Sequence, residues 1–199
     1  MSSTSSLDLA SLLCSRLCHD LLSPVGALTN GLELLEQSAR ISTDKLKFFR
    51  LAFGAAGGFG DMVPLDDARA VVDALAANNG RIEVNWQFSG DSLPKPAVKI
   101  LLNFALMAID ALVRGGTIDI AAAMGETASE LVVRASGTKV AFDPAIGHAL
   151  DGTLAAHELS SRTAPAAMVR NLATSLGGAI RQIAGEDALV LGAELPLGG

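Results

Sequence analysis

A histidine followed directly by an aspartate, His19-Asp20, is the pair of residues in this chain best suited to chemistry. An imidazole can act as a nucleophile near neutral pH, and a carboxylate beside it can hold its tautomer and activate the free nitrogen. Ser23 lies one helical turn later, and the adjacent Pro24 cannot donate to a helical hydrogen-bond ladder. These residues predict a reactive histidine, although residue types alone leave open a solvated histidine beside an aspartate.

The residues around His19 show helical periodicity. Five leucines lie within about 40° of the side of the helix opposite His19: Leu17, Leu21, Leu28, Leu32 and Leu35. A histidine on the apolar side would be expected to pack in a core, whereas this spacing places His19 on the outward side. The pattern therefore predicts an accessible imidazole and a leucine-lined face that packs on a partner helix.

The N-terminal part of the chain predicts two helices. The first extends from Ser6 to about Gln37, and the polar stretch Gln37–Thr43 is interpreted as a loop. Ser42 or Thr43 could cap a second helix from Asp44 to about Met62. Two helices joined by a short loop form a helical hairpin, which is too thin to bury the leucines alone. A dimer is therefore expected.

The rest of the chain mixes helices with strands, and the domain boundary is expected near Val63–Asp67. Predicted helices begin at Pro64, near Pro94/Pro96 and at Pro165, and end near Asn78, Val113 and Leu176. Predicted strands cover Arg81–Phe88, Thr117–Ala123, Glu130–Ala135, Ala179–Ala184 and Ala188–Leu195, while Phe142–Ala164 is irregular. This order predicts an α/β sandwich with an antiparallel strand pair at the end of the chain.

Composition excludes several kinds of partner. A net charge of −6 with only 15 Lys and Arg argues against a nucleic-acid partner. The apolar stretch Val98–Val113 is short and interrupted by Asn103 and Asp110, and the first residues do not resemble a signal peptide. A cytoplasmic protein without a membrane partner is expected.

Cys14 and Cys18 lie four residues apart, on adjacent turns of the predicted first helix. With His19 they offer three possible metal ligands and no obvious fourth, so small packing residues are the favoured interpretation and no metal site is predicted.

Three segments resemble sensor histidine kinases. His19-Asp20-Leu21-Leu22-Ser23-Pro24-Val25 resembles the kinase H-box, and Leu101–Ala108 resembles the N-box. Leu176-Gly177-Gly178-Ala179-Ile180, followed by a strand pair ending in Leu195-Pro196, resembles the end of the kinase ATP-binding domain. The resemblance implies an α+β fold in which an N-terminal helical hairpin forms a dimeric four-helix bundle and a histidine-kinase-like α/β sandwich follows.

The kinase-like part departs from the kinase pattern where nucleotide would bind. Met107 stands at the position of the N-box asparagine that ligands Mg²⁺, and a soft thioether cannot replace a hard oxygen ligand. Ala135-Ser136-Gly137 lacks the aspartate that reads adenine, and no glycine-rich lid occurs between Asp143 and Pro165. The sequence therefore predicts a degenerate domain without ATP-dependent kinase activity and without a bound cofactor.

A phospho-acceptor hairpin joined to such a domain is similar to the ChpT-type histidine phosphotransferases of alphaproteobacterial cell-cycle signalling. The resemblance implies that residues 1–65 dimerise and carry phosphate on His19, that residues 66–199 form the degenerate domain, and that Asp20 orients His19. It implies receiver contacts at Arg16, Leu22, Ser23 and Ala27.

The implied partners are the receiver domain of a CckA-like hybrid kinase and CtrA-like and CpdR-like response regulators, with Mg²⁺ supplied by the receiver. A structural dimeric adaptor and a histidine kinase with a degenerate nucleotide pocket remain the alternatives.

Overall fold

The computed structural model describes residues 6–54 and 61–197, with side chains described for 28–54 and 61–197. The helices are α1 Ser6–Phe53, α2 Leu65–Ala77, α3 Lys95–Ala111, α4 Pro144–Asp151 and α5 Ala164–Ser175. The strands are β1 Met62–Pro64, β2 Ile82–Ser89, β3 Ser92–Pro94, β4 Gly116–Met124, β5 Ala128–Ser136, β6 Ala179–Ala184 and β7 Ala188–Pro196. No helix in these ranges is long and apolar enough to cross a membrane.

The chain divides after Thr43 into two compact units, and the second unit begins at Asp44 within α1. The predicted assignment of separate functions to residues 1–65 and 66–199 remains a prediction.

The N-terminal helical region is one continuous helix, which corrects the predicted hairpin loop at Gln37–Thr43. The side chains of Ser42 and Thr43 do not cap a new helix; their hydroxyls donate to the carbonyls of Ser38 and Ala39, 2.8 and 2.9 Å away. Hydroxyl groups can bond back to the preceding turn in this way without ending a helix. Since the segment also contains neither glycine nor proline, nothing in it breaks the helical ladder.

The end of α1 also differs from the prediction, because the helix stops at Phe53 rather than near Met62. Phe48 and Ala52 on its last turns are fully buried in the core of the second unit. Met62 instead begins β1, which pairs antiparallel with β3. The glycine-rich residues 55–60 that connect these elements lie outside the described residues.

The second unit is built on a five-stranded mixed sheet of order β2-β4-β5-β7-β6. Strands β2 and β4 are parallel and are connected through α3, whereas the other neighbouring strands are antiparallel. The burial of β5 alternates along the strand, so that Leu131, Val133 and Ala135 face the core. The predicted α/β sandwich and C-terminal antiparallel pair are confirmed.

Helix α3 is the central element of the core. It is buried on nearly every side and packs against β4, β5 and β7 as well as α2 and α5. Ile100, Leu101 and Phe104 are fully buried in this layer. Because α3 is apolar on nearly all sides, it is stable only in the protein interior, where the sheet and the neighbouring helices cover it.

Helix α4 lies in the stretch Phe142–Ala164 that the sequence prediction left irregular. The Asp143 carboxylate caps its start by accepting from the Ala145 amide at 2.9 Å, and Pro144 occupies its first turn. Gly152 ends the helix in the left-handed conformation, with φ of 74°. The prediction was wrong here because an eight-residue helix carries little periodicity of its own.

Candidate functional site

Helix α1 carries all six residues predicted for phosphotransfer and receiver contact. At about 100° per residue, five of these positions lie within about 100° of His19 around the helix axis: Arg16, Asp20, Leu22, Ser23 and Ala27. The continuous helix therefore brings the predicted positions to one side of a single rigid element. Their side chains lie outside those that the structure describes.

The opposite side of α1 carries a leucine stripe, defined here as Leu28, Leu32 and Leu35. These side chains are 69%, 67% and 68% exposed. Spacings of four and three residues place them on one face, which lies about 180° from His19. The first unit thus carries the predicted phosphotransfer position on one side and an exposed apolar face on the other.

The two other histidines lie on the surface of the second unit. His148 is exposed on α4, and its Nδ1 lies 3.1 Å from the Thr153 hydroxyl. His157 is exposed in a short 3₁₀ turn over Ala156–Glu158. Neither belongs to a cluster of three or more possible metal-ligating side chains, and no such cluster occurs within 28–54 and 61–197. The weighed set Cys14, Cys18 and His19 lies outside the described side chains.

The second unit contains a cavity of about 790 Å³ beside α3. Met107, the residue at the predicted N-box asparagine position, lines this cavity and is 5% exposed. Asp110, one turn further along α3, lies at its partly solvated rim. Much of the remaining lining is apolar and comes from the end of α1, from α4 and from α5.

Charged groups at the cavity rim are mainly acidic. Arg162 Nε lies 3.1 Å from a carboxylate oxygen of Asp143, so this cation is already paired. Burial raises the pKa of Asp110 above its usual value, while the positive charges of Arg162 and Lys45 partly oppose that rise. Two carboxylates and one paired guanidinium make the rim a poor binding site for a polyanion.

Sequence reasoning missed two cavity residues, Ile146 on α4 and Phe142 just before it, because Phe142–Ala164 is predicted to be irregular. The signal that could have found them was Asp143-Pro144, a residue pair typical of a helix start.

The fold of the second unit matches histidine kinase catalytic domains. The catalytic domain of histidine kinase ThkA covers 68% of this chain with a TM-score of 0.51 and 17% identity, and 93% of the ThkA chain is covered. The histidine kinase domain of the Erythrobacter litoralis EL346 blue-light activated kinase covers 97% of this chain and 86% of its own, with a TM-score of 0.52 and 16% identity. At these identities the likeness defines the fold.

Closer relatives define the family. The model of the histidine phosphotransferase C-terminal domain matches residues 65–188. The protein phosphotransferase ChpT of Brucella abortus (strain 2308) is 39% identical over 153 residues, which are 70% of this chain and 73% of ChpT. A bacterial phosphotransferase of solved structure is 32% identical with a TM-score of 0.70, covering 96% of this chain and 98% of its own. This chain belongs to the ChpT-type histidine phosphotransferase family, whose members act in two-component phosphorelays.

Proposed function

We propose that this protein relays a phosphoryl group through His19, taking it from one receiver-domain aspartate and passing it to another. The observation that carries the proposal is the position of His19 on α1, on the side opposite the leucine stripe, in a chain of this family. A histidine so placed is available to a docking partner. His148 and His157 lack a comparable setting beside an aspartate on a long helix.

The chemistry needs one nucleophile and no cofactor bound by this chain. A lone pair on one His19 ring nitrogen attacks phosphorus of the aspartyl phosphate on the receiver. The nitrogen–phosphorus bond forms as the bond from phosphorus to the receiver carboxylate oxygen breaks, and that carboxylate leaves with the electron pair. The same exchange in reverse loads the next receiver. Mg²⁺ held by the receiver neutralises charge on the phosphoryl oxygens.

Asp20 holds the imidazole in its reactive tautomer and balances the charge that develops on the ring. Arg16, Leu22, Ser23 and Ala27 form the receiver contact because their positions flank His19 on the same side of α1. Docking on this surface places the receiver aspartate in line with the imidazole, which is the main contribution that the protein must make.

The kinase-like unit does not use ATP. A nucleotide with Mg²⁺ requires an oxygen ligand on α3 and cations for its phosphates, whereas the cavity offers the Met107 thioether and the rim carboxylates Asp110 and Asp143. The residues present therefore do not fit ATP. A histidine kinase with a degenerate nucleotide pocket is therefore the less favoured alternative. Calorimetric titration of the full chain with ATP should show no binding in the micromolar range, and micromolar affinity would contradict the proposal.

Because the proposed relay has no kinase activity of its own, one partner must supply the phosphate and others must accept it. A CckA-like hybrid kinase supplies phosphate through its receiver domain, and CtrA-like and CpdR-like response regulators accept it. The chain acts as a homodimer in which the leucine stripe of one α1 packs on that of a second copy. This stripe supports the dimer because Leu28, Leu32 and Leu35 are uncovered within one protomer.

Incubation with a phosphorylated receiver domain, in the absence of ATP, tests the relay against the adaptor alternative. The unaltered chain and the His148→Ala variant should both gain acid-labile phosphate. The His19→Ala variant should gain none and should unfold at the same denaturant concentration as the unaltered chain. Transfer of phosphate to a variant lacking His19 would exclude the proposed carrier, and no uptake by the unaltered chain would favour an adaptor.

A further inference from the structure

The cavity beside α3 has the size and the surface of a small-molecule site. Its volume of about 790 Å³ lies within the range of about 300–1,000 Å³ that is usual for such sites. Its apolar walls include Leu106 and Met107 from α3, Phe142 and Ile146 near α4, and Met168 from α5. Methionine side chains adapt to ligands of different outline, so two of them in one cavity favour binding over rigid exclusion.

Two aromatic rings at the end of α1 extend the apolar surface. Phe49 and Phe53 both line the cavity, with ring centroids 5.8 Å apart, and they remain 43% and 37% exposed. Phe48, which directly precedes Phe49 in the sequence, is by contrast fully buried. An aromatic pair left partly in water beside an apolar cavity would gain free energy from a ligand that covers it.

The charges at the rim determine which kind of head group the cavity favours. Asp143 is paired with Arg162 at 3.1 Å and also caps α4, so its carboxylate is engaged twice. Asp110 lies on the same rim, and neither of the two cations that act on it from a distance, Arg162 and Lys45, forms an ion pair with it. Among the residues that line the cavity, two are acidic and one is basic, while Lys45 lies outside the lining. With Arg162 paired to Asp143, the carboxylate of Asp110 favours a cation over phosphate or carboxylate at this rim.

We propose that this cavity binds a small amphipathic cation, with its apolar body against Phe49, Phe53 and Met107 and its amine beside Asp110. The cavity thus binds a positively charged ligand, whereas the nucleotide site of a kinase binds a negatively charged one. It is separate from the phosphotransfer chemistry of His19, and its test does not depend on that chemistry.

Monodansylcadaverine, a naphthalene dye with an aliphatic amine, is a suitable probe for fluorescence titration of the full-length protein. Dansylglycine, with the same ring system and a carboxylate, is the matched control ligand. The amine should bind saturably, with enhanced and blue-shifted emission, and the acid should bind at least about fivefold more weakly, the factor that corresponds to roughly 1 kcal/mol for a partly exposed ion pair.

Four variants locate the binding. Ala164 is exposed at the start of α5 and lines the cavity, so Ala164→Trp should block it and weaken amine binding at least about tenfold, the effect of losing roughly 1.4 kcal/mol. Ala141→Trp is a second blocking variant at an exposed lining position. Ala70→Trp is the matched control, since Ala70 is exposed on α2 and does not line the cavity. Asp110→Asn should remove the preference for the amine.

Saturable binding of the amine that responds to both blocking variants and to Asp110→Asn supports the proposal. No saturable binding, a preference for dansylglycine, or equal effects of Ala164→Trp and Ala70→Trp would overturn it. If the blocking variants slow phosphate transfer from a receiver while the amine does not bind, the cavity is a protein contact and the proposal is wrong.

Discussion

At the scale of single residues, the proposed phosphotransfer depends on a short segment of sequence. His19, Asp20 and Ser23 could be singled out from residue type and spacing, because a nucleophile and its orienting carboxylate must be close in the chain or in space. The resemblance to ChpT-type histidine phosphotransferases implied the receiver contacts Arg16, Leu22 and Ala27, which remain predictions. The cavity residues could not be predicted in the same way, since they converge from four separate parts of the second unit.

Substitution of Asp20 should test its role as an orienting residue. Asp20→Asn keeps the size of the side chain and removes its charge, so transfer to the chain from a phosphorylated receiver should slow at least about tenfold. This is less than the roughly 10²–10⁴-fold that a positioned acid–base group itself contributes, because Asp20 acts through His19. Single-turnover rates at saturating receiver measure this effect without the contribution of docking. Asp44→Asn on the same helix is the control, and an equal loss of rate in both variants would contradict the assigned role.

Asn103 offers a prediction about stability. Its side chain is fully buried on α3, where Nδ2 donates to the Lys99 carbonyl at 2.8 Å and Oδ1 has no hydrogen-bond partner. A buried carbonyl without a partner is costly, and the Lys99 carbonyl can keep its helical partner when Nδ2 is lost. Asn103→Leu should therefore raise the free energy of unfolding by about 1 kcal/mol. Urea unfolding measures this free energy. A decrease of similar size in the variant would show that the Asn103 amide has a hydrogen-bond partner in solution.

At the scale of elements, apolar periodicity and terminal residues predicted most of the second unit. The predicted helix after Pro64 and the strand pair at the end of the chain agree closely with α2, β6 and β7. The predicted loop at Gln37–Thr43 is wrong because Ser42 and Thr43, residue types that can cap the start of a helix, instead bond to the preceding turn of α1. The short strands β1 and β3 were missed because three residues carry no readable alternation.

The leucine stripe leads to a prediction about assembly. Leu28→Asp would place a carboxylate in the proposed apolar contact between two α1 helices, and should weaken the dimer by at least about tenfold, since burying an unpaired charge costs well over 1.4 kcal/mol. Leu34→Asp is the matched control, because Leu34 is 65% exposed and lies off the stripe.

Sedimentation velocity at several protein concentrations measures the dimer affinity of the unaltered protein and of both leucine variants. Equal weakening by the two substitutions, or a monomeric unaltered protein at micromolar concentration, would contradict the proposed contact.

At the scale of the whole molecule, the chain combines a long helix with an α/β unit of histidine kinase fold. The family and the general architecture could be inferred from three motifs in the right order. The continuity of α1 and the composition of the cavity could not, since they depend on local hydrogen bonds and on contacts between distant segments. The carboxylates of Asp110 and Asp143 at the cavity rim support the proposal that this unit does not bind ATP, in addition to Met107 at the predicted asparagine position.

Mapping of the phosphorylated residue tests the central proposal most directly. The protein is incubated with a phosphorylated receiver domain without ATP, digested under alkaline conditions that preserve phosphohistidine, and analysed by tandem mass spectrometry. We expect one phosphoryl group per chain, on the peptide that contains His19. This phosphoryl group should be lost when an unphosphorylated second receiver is added. Phosphate on His148 or His157, or phosphate on His19 that a second receiver cannot remove, would contradict it.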